Sequence, residues 1–220
     1  MAILQTLDRG IKALFYIGSA QDGVSIADLA VELGVDRAIA YRIASTLEDN
    51  RLVTRSKDGR LYLGAGVLQL ENHFVPQLRR RSSELLKKLA ADACATAFLS
   101  IADGDDCVAI VVEEPEAALI RVGYRVGSRH PLDRGAAGIA ILSLRAPTVE
   151  DLPEVVEARK DGFSVTRGAL QKGAVGVAAP VRFVDPSRTI ECCVGVVALA
   201  DMDVDRAAKL AVASAQSLAG

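Results

Sequence analysis

From Ser25 to Leu63 the chain reads SIADLAVELGVDRAIAYRIASTLEDNRLVTRSKDGRLYL, and its periodicity changes partway along from helical to extended. Ser25 stands three residues before Asp28, a capping-box spacing in which the hydroxyl takes an orphan backbone N–H and the acid reaches back to the cap. A helix of about two turns should follow, with Ala27, Leu29, Ala30 and Leu33 on its apolar face. Gly34 suits the tight turn after it, and Asp36 is placed to cap a third helix. On that helix Ile39, Ile43 and Leu47 form a stripe with Ala40 and Ala44 beside it, which leaves Arg37, Tyr41, Arg42, Ser45 and Glu48 on the other side. Beyond Asn50, Leu52 to Arg55 and Arg60 to Leu63 flank Ser56-Lys57-Asp58-Gly59, where Asp-Gly signals a hairpin. Upstream, Leu7, Ile11, Leu14, Phe15 and Gly18 recur at helical spacing until Gln21-Asp22-Gly23 breaks the pattern, so a first helix precedes the others with this stripe as its apolar face. Three short helices and a small hairpin make a winged helix-turn-helix.

The rest of the chain reads differently. Leu68 to Leu78 is largely helical, interrupted by Pro76, and leads into Arg79-Arg80-Arg81, so it reads as a connector whose stripe of Leu68, Phe74, Val75 and Leu78 has no core of its own. Leu85, Leu86, Leu89 and Ala93 belong to a helix opening a second domain. Strands are expected at Thr96 to Ala102, Cys107 to Glu113, Leu119 to Val122, Ala174 to Phe183 and Cys192 to Ala200. Helices are expected at Gly135 to Leu144, Val149 to Lys160 and Asp205 to Leu218. Gly173 to Pro180 is too apolar for an edge strand with one wet face. The organisation is therefore an α+β chain with a winged helix-turn-helix over 1–64, a linker helix over 65–80 and a second domain over 81–220.

Composition limits the function classes. The 220 residues are 50% hydrophobic and 25% charged, with a mean hydropathy of +0.26, which excludes wholesale disorder. The longest charge-free stretch, Leu210 to Gly220, is too short to span a bilayer, and no basic segment precedes an apolar run at the N-terminus. The expectation is a cytoplasmic protein with no membrane contact. A net charge of −2 gives no global sign of nucleic-acid affinity, yet a few well-placed arginines suffice for a local basic face. Residues 1–62 hold eight basic and eight acidic side chains, so one copy should bind DNA weakly, and a symmetric dimer would double the phosphate contacts.

A helix-turn-helix lays the outward face of its third helix in the major groove, where an arginine can donate two hydrogen bonds to guanine. The candidate DNA-binding residues are Arg37, Ala38, Tyr41, Arg42 and Ser45 on that helix, with Lys57 and Arg60 of the wing reaching backbone or minor groove. Arg79 to Arg81 read more simply as a solvated helix face. Cys94, Cys107, Cys192 and Cys193, with His73 and His130, show no zinc-ligand spacing. No catalytic residues, metal site or cofactor are expected, since no Gly-x-Ser-x-Gly elbow or phosphate loop occurs and neither Cys107 nor Cys193 has a basic partner recognisable by spacing. Plain buried cysteines are the first reading; a thiol-based redox-sensing regulator using Cys192 or Cys193 is the alternative, and an enzyme on an α+β domain comes after it.

Read as a whole, the chain resembles the IclR family of bacterial transcription regulators. The resemblance is carried by Leu7-Asp8-Arg9, Ser25 to Ala30, Tyr41 to Glu48 and Leu61 to Gly64 in the first half. In the second half it is carried by Arg125 to Leu132, Gly135 to Gly138, Gly162-Phe163 and Val177 to Pro180. It implies a winged-helix DNA-binding domain, a linker helix and a GAF-like effector domain, assembled as a homodimer or tetramer on double-stranded DNA bearing a palindromic operator. Arg37-Ala38-Ile39 replaces a common Lys-Ser-Thr type start of the recognition helix, and Leu132 to Ala140 lacks the family's usual His, Thr and Lys. Carried over by position, the effector site comprises Ala136, Ala137, Thr166, Ala174, Gly176, Cys193, Gly195 and Val197, of which the last three share one strand face by their period of two. Such small apolar walls leave room for an aromatic or otherwise apolar organic acid, whose carboxylate Arg121, Arg125 or Arg134 would meet at the mouth.

Overall fold

The computed structural model describes residues 3–72, 75–115, 123–185, 188–199 and 201–219, which fall into two compact units, Met1–Pro76 and Gln77–Gly220. The expected strand at Leu119 to Val122 lies outside the described residues.

The first unit runs α1 (Gln5–Ser19), α2 (Ile26–Leu33), α3 (Arg37–Asp49), β1 (Val53–Arg55), β2 (Leu61–Leu63) and α4 (Gly66–Asn72). Ser25 caps α2 by accepting from the Asp28 backbone N–H at 3.1 Å, and its hydroxyl donates to the Asp28 carboxylate at 2.7 Å. The acid thus accepts a hydrogen bond from the Ser25 hydroxyl. Ser25→Ala should therefore cost about 1 kcal/mol, read as a lower urea midpoint for the first unit with the slope unchanged. Gly34 ends α2 with φ of 61°, a left-handed conformation that a β-carbon would strain. Asp36 occupies the cap position of α3 but makes no side-chain capping bond, so the expected cap is positional only.

The core of this unit gathers Leu29 and Ala30 from α2, Ala40, Ile43 and Ala44 from α3, and Val53 and Leu61 from the hairpin. From α1 it takes Ala13 and Ile17. Of the stripe read from the sequence of α1, Leu14 packs against this core, whereas Leu7, Ile11 and Phe15 are 60%, 48% and 77% exposed. Two overlapping apolar stripes fit the α1 sequence, and packing against α2, α3 and β2 selects the one that carries Ala13 and Ile17. The wing pairs Val53 with Leu63 and Arg55 with Leu61, and Leu61 also bridges Val24 ahead of α2.

The connector is not one helix. α4 ends at Asn72, Val75 adopts φ of 40°, and Pro76 opens α5 (Pro76–Ala93), where a missing N–H costs nothing. The helix expected to begin near residue 81 thus starts earlier and includes Arg79 to Arg81. Of the stripe expected to lack a core, Val75 and Leu78 are buried, Leu68 is exposed, and Phe74 lies outside the described residues.

The second unit is an antiparallel six-stranded sheet in the order β5-β4-β3-β8-β7-β6. Its strands are β3 (Thr96–Asp103), β4 (Asp106–Glu113), β5 (Arg129–Pro131), β6 (Ser164–Arg167), β7 (Ala174–Asp185) and β8 (Arg188–Leu199). β5 and β6 were not expected from sequence; both are short edge strands, three and four residues long, held by pairing rather than by propensity. The helices are α5, α6 (Gly135–Leu142), α7 (Pro153–Asp161) and α8 (Val204–Ala219). α8 packs on β7 and β8, while α6 packs against β6, β7, β8, β3 and β4. Along β8, Cys193 alternates with Cys192, Val194 and Val196, and all four are fully buried. Both faces of this inner strand are covered, which explains an apolar run without polar alternation.

Candidate nucleic-acid interface and ligand cavity

On α3, Arg37, Ala38, Tyr41 and Arg42 are exposed and Ser45 is half-buried. They occupy the side of the helix away from Ala40, Ile43 and Ala44, as the 3.6-residue period requires. Arg42 also sits at the rim of an open apolar groove between α1 and α3 that includes Leu7, Ile11, Ile39 and Leu47. In the wing, Lys57 is exposed at the hairpin turn. Arg60 is turned back on the protein: it donates to the carbonyl of Gly23 at 2.9 Å and lies 3.8 Å from Asp58. Tyr62 donates to the carbonyl of Asp22 at 3.1 Å, so the wing is stitched to the turn before α2.

One residue of this surface escaped the sequence reading. Arg55 on β1 makes a two-pronged ion pair with Glu48 of α3, at 3.2 and 2.8 Å, and its guanidinium lies 5.2 Å from the Tyr41 ring centre. This contact ties the wing to the exposed face of α3 and constrains Tyr41. Nothing in the spacing from 41 to 55 marks it, because the pairing arises only when the hairpin folds across the helix. The neutral charge balance also becomes clearer: Asp8 pairs with Lys12 and Glu48 with Arg55. Arg37, Arg42 and Lys57 form no ion pair among the described residues.

The second unit holds a cavity of about 290 Å³ between the sheet and α6. Its wall includes Ala136 and Ala137 of α6, Thr166 of β6, Ala174 and Gly176 of β7, and Val197 of β8. Phe98, Tyr124, Arg129, His130, Leu170 and Gln171 are also on it, with Gly123, Ser128 and Ala169, and none of these was among the residues carried over by position. Cys193 and Gly195 are not on the wall. Cys193 is fully buried in the layer beneath, and Gly195 sits opposite Phe98 in the β3–β8 register, where the Phe98 ring occupies the space a side chain would need. The arginines expected at the mouth also differ. Arg125 is exposed and off the wall, Arg134 donates to the Ala169 carbonyl at 3.3 Å, and Arg121 lies outside the described residues. Arg129 is on the wall, with its guanidinium held by Asp103 and Asp106.

Beneath the cavity lies a polar cluster that sequence spacing could not reveal. The β4–β5 register places Cys107 opposite His130, which corrects the expectation that this cysteine has no basic neighbour. A hydrogen bond from the Cys193 thiol and the nearby imidazole together outweigh burial and hold the Cys107 pKa down to about 6. Burial and the anion on Cys107 push the Cys193 thiol well up. Burial opposes the charged imidazole of His130, but Cys107 more than offsets it, so its pKa lies above the usual value. Tyr124 meets Ser100 at 3.1 Å through its hydroxyl and stacks obliquely on Phe98, with ring centres 5.0 Å apart. β3 separates β4 from β8, with Cys193 opposite Ser100 and Cys107 opposite Ala102, so the two backbones are at least two strand spacings apart, more than about 9 Å, too far for a disulfide without backbone movement. No group of three His, Cys, Asp or Glu side chains among the described residues is arranged to hold a metal ion. No described helix is long and apolar enough to cross a membrane.

Fold and site together define a winged helix-turn-helix protein whose second, α+β domain carries a small apolar cavity. Residues 6–57 match the IclR helix-turn-helix domain. The chain is 26% identical over 144 residues to the acetate operon repressor of Salmonella typhimurium and 24% identical to the transcriptional repressor IclR of Escherichia coli. Each match covers 64% of this chain and 53% of the relative, so the chain spans about half the length of the curated relatives it matches. These relatives are named as transcriptional repressors, and this chain is similar to them over the matched residues, with an IclR helix-turn-helix domain at residues 6–57. Its fold is also that of an Alicyclobacillus acidocaldarius regulator (TM-score 0.78, 21% identity, 99% of this chain and 98% of that one). A second likeness is a Microbacterium hydrocarbonoxydans IclR homologue solved with 4-hydroxybenzoate (TM-score 0.82, 15% identity, 97% of both chains).

Proposed function

We propose that this chain is a bacterial transcription regulator that binds a palindromic operator as a dimer and changes its operator affinity when a small aromatic or apolar organic acid occupies the cavity. The observation that carries the reading is the exposed face of α3, where Arg37, Tyr41 and Arg42 are open to solvent and the two arginines, like the exposed Lys57 of the wing, form no ion pair among the described residues. Arginine on a recognition helix reads guanine edges or positions phosphates, and Ala38 and Ser45 allow close approach to the groove. Arg60 acts first as a brace for the wing and contributes its charge near the backbone.

A neutral domain needs a second copy, and the exposed Leu7, Ile11 and Phe15 of α1 supply apolar surface on which one would be held. The second domain shifts the dimer by binding the acid better in one DNA-binding state than in the other, without turnover. The ligand of the Microbacterium neighbour is an acid of this type. The test is a fluorescence titration of the intergenic DNA beside the gene against random DNA at physiological salt. The expected result is at least about a thousandfold preference for the operator; equal binding of the two would refute sequence specificity.

A further inference from the structure

His130 is 92% buried by its 8% exposure, lies on the cavity wall, and its Nε2 is the buried side-chain nitrogen or oxygen that has no hydrogen-bond partner among the described residues. We infer that His130 receives the carboxylate of the ligand, donating Nε2–H to it while an aromatic ring rests against Phe98 and Tyr124. The inference builds on the effector reading above and names the residue and ligand group that would confer its selectivity.

Nδ1 lies 3.0 Å from the carbonyl oxygen of Pro131. A carbonyl can only accept, so Nδ1 carries a proton, and the state of Nε2 decides what the cavity recognises. A neutral ring would offer a lone pair to a donor, whereas an imidazolium offers a second N–H to an acceptor. The surroundings favour the imidazolium. The charged and titratable groups around the ring are Cys107 of β4, Cys193 of β8 and Tyr124 of the loop before β5, together with Arg129 and Arg134. Cys107, favoured as the thiolate, supplies the opposite charge. Arg129 is occupied by Asp103 and Asp106, and Arg134 by the Ala169 carbonyl. α6 reads GAAGIAIL and brings no charge. No atom of the described residues meets Nε2 at hydrogen-bond geometry; the buried Cys107 sulfur favours the charged ring from nearby, and a ligand oxygen supplies the short acceptor that this buried nitrogen lacks.

The ligand's body follows from the wall. A cavity of about 290 Å³ is at the small end of ligand sites and admits one ring rather than a fused system. Ala136, Ala137 and Gly176 contribute small groups to the wall and Phe98 and Tyr124 contribute aromatic rings.

The experiment is calorimetric titration of the full chain with benzoate and with benzamide, its neutral isostere. Wild-type protein should prefer benzoate by about tenfold or more, the increment of a charge-assisted hydrogen bond. His130→Gln should bring the benzoate-to-benzamide affinity ratio to about one, because the charge-assisted part of the contact is lost. Should the variant fold poorly, the imidazole ¹⁵N resonances of wild-type His130 report directly, with both nitrogens expected to be protonated in the benzoate complex. Gly176→Val, whose side chain projects toward Ala136 and Thr166, should block both ligands. If His130→Gln binds benzoate as wild type does, or Nε2 is unprotonated in the complex, the role of His130 is overturned while the cavity reading stands. Benzoate binding that is absent in wild type, or unaffected by Gly176→Val, overturns both.

Discussion

Replacing Arg37 and Arg42 together by alanine lowers operator affinity by about a hundredfold, since each groove or phosphate contact contributes about 1–3 kcal/mol and the two side chains share no partner. Both are exposed on α3 and make no ion pair among the described residues, so their removal leaves the helix-turn-helix core intact and the melting temperature near that of the wild type. The single variants separate their roles. Loss of a base contact relaxes specificity at one operator position, whereas loss of a phosphate contact weakens all sequences alike and reduces the salt slope by about one. Gel-shift titrations at several salt concentrations measure both quantities. A double variant that binds the operator as wild type does would remove α3 as the reading element.

Gly195→Ala destabilises the second domain by about 1–3 kcal/mol, because the added carbon overpacks a site with no room to adjust. An ideal Cβ there would lie 2.4 Å from the Val177 carbonyl oxygen, 2.6 Å from the Phe98 ring and 2.9 Å from the Ala178 Cβ. The first of these is backbone of β7, fixed by pairing along β8. The melting temperature should fall by roughly 3–8 °C for a domain of this size. Gly176→Ala is the internal control. Its Cβ would meet Ala136 at 3.3 Å and Thr166 at 3.6 Å, which is tight but at the cavity wall, so calorimetry should show a much smaller shift. Equal shifts for the two variants would mean that the β7–β8 contact yields more easily than its geometry implies.

These two glycines also show how far a positional reading of the cavity reaches. Period-two alternation correctly places Cys193, Gly195 and Val197 on one face of β8, yet only Val197 meets the cavity. The difference lies in the neighbouring strand, where Phe98 fills the space above Gly195, and in the depth of the sheet at Cys193. Neither fact has a local signature. The same holds for α1, where Leu7, Ile11 and Phe15 form as good a helical stripe as Ala13 and Ile17, and contact with α2, α3 and β2 selects which is buried.

What the sequence determined by itself is the part built from near neighbours. Ser25 and Asp28, Gly34 and the Ile39–Ile43–Leu47 stripe act over three or four residues, and Asp58-Gly59 acts within one turn, so helix ends, helix faces and the wing follow from local sterics and hydrogen bonding. Tertiary structure decided the long-range pairings: Arg55 with Tyr41 and Glu48, Arg129 with Asp103 and Asp106, and His130 beside Cys107 across β4 and β5. Strand register and packing bring these groups together from separate stretches of chain, and the chemistry of the cavity depends on that assembly, because a charge or a lone pair acquires its meaning from what is buried next to it.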